Sequence, residues 1–137
     1  MAIDDSDPAG RGGRATLAAA AGGVVGAGAR WLVGELVTDA GASGLPWATL
    51  TVNVLGCLLL GVLVTRFERG SIAWTLLATG VLGGFTTMSA FAIELNGFAD
   101  DGRTTALVVY LAITIAGGVG ALVLGERVGT KSMRTRP

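Results

Sequence analysis

The sequence predicts an all-α integral membrane protein, a four-helix bundle whose third helix is broken. Three observations predict it. Hydrophobic residues make up 51% of the 137-residue chain and charged residues 15%, where a soluble domain carries about 25% charge. Four apolar segments reach membrane-spanning length, about 20 residues each, with short connectors between them. The third segment carries GVLGGFTTMSAF, Gly80 to Phe91, at its centre. Three glycines, two threonines and a serine in one apolar run are of little use to a continuous buried helix.

The bulk numbers exclude several functions. Net charge is zero, so nucleic-acid binding has no electrostatic support. Histidine is absent and Cys57 is the single cysteine, which argues against a metal cluster or a disulfide framework. Cys57 reads as a small packing residue. No ATP-binding motif is visible and the chain does not read as an enzyme.

Residues 1–14, polar and rich in Gly and Asp, are expected to form a disordered tail. The first span is expected from about Ala15 to Val37. It is too long for a signal-peptide core, its leader is partly acidic, and three more spans follow. The second is expected from Pro46 to Thr65, the third from Ser71 to Leu95 and the fourth from Thr104 to Gly125. The four-span membrane domain is then 15–125, followed by a basic tail, 126–137.

Four spans put both termini on one side. That side holds Arg11, Arg14, Arg66, Arg69, Arg127, Lys131, Arg134 and Arg136, against Arg103 opposite and Arg30 inside the first span. The positive-inside rule places both termini in the cytoplasm, with the chain in the cell membrane. Gly22 and Gly26, Gly80 and Gly84, Gly56 and Gly61, and the cluster Gly117, Gly118 and Gly120 allow close helix packing in lipid. So small a bundle is also expected to pack against a second subunit.

Polar residues inside a membrane are costly and point to function. Asn53 shares a helix face with Thr49 and Gly56. Its amide suits an anion, or an interhelical hydrogen bond, and position alone does not choose. Tyr110 and Thr114 form an i, i+4 stripe that can line a path or bond neighbouring backbone. Arg30 needs a partner or a water-filled vestibule, unless it snorkels to the interface. Gly83-Gly84 reads as a helix-breaking pair, with Thr86 and Thr87 satisfying the freed backbone groups. Non-helical backbone at this depth must be buried in protein or line a cavity, and broken helices form ion sites. Ser89 and Phe91 follow the break, with Glu94 beyond them near the far interface. A ring edge such as that of Phe91 can face a small anion.

These residues resemble a known family, the small fluoride channels called Fluc or CrcB-type. GGVVGAGARW (Gly22 to Trp31), PWATLTVNVLGCLLLG (Pro46 to Gly61) and GVLGGFTTMSAFAIE (Gly80 to Glu94) are similar to its first, second and third-span motifs. The resemblance implies an antiparallel dual-topology dimer enclosing two fluoride pores. It implies passive export of cytoplasmic fluoride, lowering its toxicity. The pore residues implied are Asn53, Met88, Ser89, Phe91 and Tyr110, with Arg30 at the vestibule. It also implies a structural sodium ion at the dimer interface, on the backbone carbonyls of Gly83 and Thr86. One residue departs from the pattern: Met88 stands where the family has the first Phe of Thr-Thr-Phe-Ser-x-Phe. A thioether lacks a ring's positive edge. Together with the one-sided charge, this favours a heterodimer with a related chain of opposite bias over a homodimer. A non-conducting or complementing subunit is the rival reading. A small four-span multidrug exporter fits less well, since the first span has no central carboxylate and only Glu35 near its end.

Overall fold

Residues 8–37 and 44–134 are described by the computed structural model, and all their regular structure is helical. Helix α1 is described over Pro8–Leu36. Residues 8–14, expected from sequence as tail, are thus helical, while 1–7 lie outside the described residues. Helix α2 (Trp47–Arg66) ends with Phe67 in an extended conformation, and Arg66 complements the negative end of its dipole. Gly70 takes a positive φ of 88° in the turn that follows. Ser71 then caps the next helix by accepting a hydrogen bond from the Trp74 N–H at 3.1 Å.

Helix α3 covers residues 72–85 and includes a wide π-helical stretch, Thr75–Leu82. Thr86 and Thr87 are extended, with ψ of 161° and 118°. Helix α4 (Met88–Asp100) starts afresh, with the Thr87 hydroxyl accepting from the Ala90 N–H at 3.1 Å. The expected breakers behave otherwise: Gly83 and Gly84 are helical. The reason is packing. A methyl group at Gly84 would drive into the Gly23 carbonyl of α1, so this glycine allows backbone contact between two spans. Gly22, Gly26 and Gly80 lie in the same seam.

α4 closes on a Schellman motif. The Arg103 N–H donates to Phe98 O at 2.8 Å and the Gly102 N–H to Ala99 O at 3.1 Å, with Gly102 at φ 68°. Gly102→Ala is expected to destabilise the protein by about 1–2 kcal/mol, the cost of a left-handed non-glycine residue. Thermal unfolding in detergent measures this, and an unchanged midpoint would show that the turn tolerates a side chain. Helix α5 (Thr104–Arg134) then runs nine residues past the span end expected at Gly125. Residues 135–137 of the basic tail lie outside the described residues.

The helices associate mainly as two pairs, α1 with α3 and α2 with α5, while α4 leans on α5. α2 and α5 meet where Gly61 and Gly125 face each other across the seam. The buried aromatic cluster is Phe91, Phe98 and Tyr110, closed by Leu45. Leu17, Val24, Trp31, Leu59, Val108 and Ile115 are among many large apolar side chains left exposed. Four helical stretches, Gly12–Leu36, Trp47–Arg66, Ile72–Asp100 and Thr104–Lys131, are each long and apolar enough to cross a membrane.

Candidate functional site

The interruption between α3 and α4 is held from α2. Asn53 Nδ2 donates to the Thr87 carbonyl at 3.0 Å, and the Thr87 N–H donates back to Asn53 Oδ1 at 2.9 Å. One side-chain amide thus supplies an acceptor for an N–H that has left the ladder of α3 and a second donor for the carbonyl that caps α4, which suits backbone at membrane depth. An amide has a second N–H, and Asn53 borders a cavity of about 360 Å³ with Cys57, Thr86 and Met88. The hydrogen-bonding role is therefore observed, and a donor remains. The face shared by Thr49, Asn53 and Gly56 points toward the third span. Gly56 abuts the Thr86 side chain, and Thr49 reaches Glu94.

Arg30 does not snorkel away. Its Nη1 donates to the Thr86 carbonyl at 3.3 Å. It borders a separate cavity of about 210 Å³ with Thr49, Val52 and Thr87. The two carbonyls named for sodium consequently differ. Gly83 is exposed, and the Thr87 N–H that would serve its carbonyl in a continuing helix bonds Asn53 instead. Such an oxygen suits a hard cation. The Thr86 oxygen faces a guanidinium, which opposes a cation on the same atom in this arrangement.

Below the break lies a second polar centre. The Thr49 hydroxyl donates to Glu94 Oε1 and the Tyr110 hydroxyl to Glu94 Oε2, each at 2.6 Å. Tyr110 is wholly buried, between Phe91 with ring centroids 5.3 Å apart and Phe98 at 5.8 Å. One turn along α5, the buried Thr114 hydroxyl has no hydrogen-bond partner among the described residues. Asn53, Thr49, Glu94 and Tyr110 thus form a polar line through an apolar bundle, with Thr114 one turn beyond.

The five expected pore residues fall into two groups. Phe91 and Tyr110 pack together beside Glu94. Met88 and Ser89 stand near Asn53 on the open side. Met88 is 75% exposed, and Ser89 Oγ lies 3.3 Å from Thr87 Oγ1. Phe85 is buried, with its ring close to Gly56 of α2.

Residues 17–126 match the model of a protein family described as "CrcB-like protein, Camphor Resistance (CrcB)". The chain belongs to the CrcB family. CrcB relatives among curated proteins include the "Fluoride-specific ion channel FluC" of Xanthomonas euvesicatoria pv. vesicatoria (strain 85-10), 40% identical over 117 residues. That match covers 82% of this chain and 88% of the relative. Proteins of the same name from Erythrobacter litoralis (strain HTCC2594) and Prosthecochloris aestuarii (strain DSM 271 / SK 413) are each 40% identical. They match 81% of this chain, covering 88% and 89% of their own lengths. With four apolar helices of spanning length, this CrcB chain is a multi-pass membrane protein.

Sequence reasoning underrated Glu94, which it placed near the interface with no role. The signal was present: an ionisable residue inside an otherwise apolar span. Its partners lie 45 and 16 residues away, and no local pattern announces them.

Proposed function

We propose that this chain is a subunit of a fluoride-selective channel that lets cytoplasmic fluoride leave by passive electrodiffusion. Similarity to FluC proteins across about four fifths of both chains carries the reading. The polar line supplies its physical counterpart. Hydroxyls of Thr49, Tyr110 and Ser89, the second Asn53 N–H and the Thr114 hydroxyl, unpartnered among the described residues, offer donors to a small anion without a full positive charge to trap it. A passing fluoride competes with the Glu94 carboxylate for the Thr49 and Tyr110 protons. Phe91 adds a ring edge. Arg30, in its own cavity, raises the local anion concentration. An inside-negative potential drives export, by about 2.3 kcal/mol per charge per 100 mV.

The working unit in this reading is an antiparallel dimer whose third spans are broken at Thr86–Thr87. Exposed Gly83, Met88 and Ser89 lie on the side open to a partner. A structural sodium ion between the subunits would supply fixed charge joining the two breaks, with the Gly83 carbonyl as its fitting ligand. The clustering of basic residues at the terminus end favours cytoplasmic termini and a partner of opposite bias. Terminal tags probed for accessibility test this, and an even mixture of orientations would favour the homodimer.

Fluoride efflux from liposomes holding this chain, read by a fluoride electrode with chloride as control, tests the function. Fast fluoride loss without chloride loss is expected, from the chain alone or with its partner co-expressed. Its absence from both folded preparations would refute the reading.

A further inference from the structure

Glu94 faces more than its two hydroxyl donors. It also borders a cavity of about 290 Å³ that opens at the end of the bundle away from the termini. Gly44, Phe98, Asp101 and Arg103 line the same cavity. With Glu94 and Asp101 alone, this mouth would repel an anion. Among the described residues, Arg103 is the only cationic side chain that lines it.

Arg103 is also held in place. Its backbone is fixed by the Schellman motif that ends α4. Its guanidinium lies over the Phe98 ring, 4.8 Å from the centroid, and Nη2 donates to the Gly44 carbonyl at 3.4 Å. Both partners are uncharged, so neither cancels its charge. The Phe98 ring meets Tyr110 nearly edge-on, at 79° between planes, and Tyr110 bonds Glu94. The cation is thus anchored to the same packed rings that position the polar line.

We propose that Arg103 sets the rate at which fluoride enters or leaves the pathway at this mouth, acting as a fixed cation that offsets Asp101 and Glu94. The proposal rests on the fluoride-channel reading above. It differs from a purely mechanical role, in which Arg103 straps the Gly44 segment to α4, because a field effect depends on salt and a strap does not. Steering by surface charge is strong when the screening length is long, about 30 Å at 0.01 M, and weak when it shortens to about 8 Å at 0.15 M.

The test measures fluoride efflux from proteoliposomes at about 0.01 M and about 0.15 M ionic strength, set with an impermeant salt. Arg103→Gln, Arg103→Lys and Arg103→Glu are compared with the parent. Arg69→Gln, from the other end of the bundle, is the control. Elution as the parent's oligomer in detergent shows that each variant is folded. At low salt Arg103→Gln is expected to be about two- to fivefold slower than the parent. Arg103→Glu should be slower still, Arg103→Lys close to the parent and Arg69→Gln unchanged. At the higher salt the differences should shrink to about 1.5-fold or less. Arg103→Gln matching the parent at low salt would overturn the proposal. So would Arg103→Lys failing as badly as Arg103→Gln at both salts, since that is the signature of a strap. If the parent carries no fluoride either alone or with its partner co-expressed, the channel reading falls and this inference with it. If the parent conducts and the Arg103 variants do not differ from it, this inference alone falls.

Discussion

Asn53→Ala is expected to reduce fluoride efflux by at least tenfold and to lower thermal stability. Asn53 makes two hydrogen bonds to one backbone unit, Thr87, at 3.0 and 2.9 Å. Alanine leaves that N–H without a partner inside the bundle, while the carbonyl, at the N-cap of α4, keeps its intrahelical bond and loses only the second one. An orphaned buried N–H costs about 1–3 kcal/mol. The chain can reduce that cost by re-forming helix through Thr86 and Thr87, which would erase the extended segment. Either route removes the arrangement of Thr86, Thr87 and Met88 around the Asn53 cavity. Asn53→Asp separates the two bonds, because a carboxylate accepts from the Thr87 N–H and cannot donate to its carbonyl. It should fall between the parent and Asn53→Ala in unfolding midpoint. Efflux from Asn53→Ala within twofold of the parent would show that the clamp is dispensable.

The second large effect centres on Glu94. Glu94→Ala is expected to cost about 2–4 kcal/mol and to slow efflux by about tenfold. The stability term arises because Tyr110, fully buried, and Thr49, 8% exposed, both lose their acceptor. A double-mutant cycle isolates the Tyr110 share. Tyr110→Phe in the parent removes a donor from Glu94 and should destabilise by about 1 kcal/mol. In the Glu94→Ala background the same change no longer breaks that bond and should cost less. Chemical or thermal unfolding of the four proteins reads the difference. Strict additivity would mean that the Tyr110–Glu94 bond contributes nothing. The flux term follows from order: with the carboxylate gone, the Thr49 and Tyr110 hydroxyls no longer point along a common line.

Several site residues are legible in the amino-acid sequence. Asn53 and Tyr110 stand out because polar groups inside an apolar span are costly, and Phe91 is picked out by the resemblance to the family's third-span motif. Their pairing is not legible there. Asn53 and Thr87 are 34 residues apart, Thr49 and Glu94 45, and Arg30 and Thr86 56. Nothing in a local window encodes such distances. The glycine pair Gly83-Gly84 shows the converse error. Glycine's low helix propensity suggests a break there, yet contact with α1 uses Gly84 for close packing and moves the interruption to Thr86 and Thr87.

The amino-acid sequence by itself determined the number of spans, their order and the all-helical class. Those follow from hydropathy and from the need of every backbone group in lipid to find an internal partner. It also determined that polar groups would sit at membrane depth, because Asn53 and Tyr110 lie inside apolar runs. Tertiary structure alone decided which of those groups meet. It gave the Asn53 amide to Thr87, the Arg30 guanidinium to the Thr86 carbonyl, and both Glu94 oxygens to hydroxyls from two other helices. The physical reason is that a hydrogen bond is satisfied by distance and angle in space, and groups 16 to 56 residues apart along the chain acquire those only once packed.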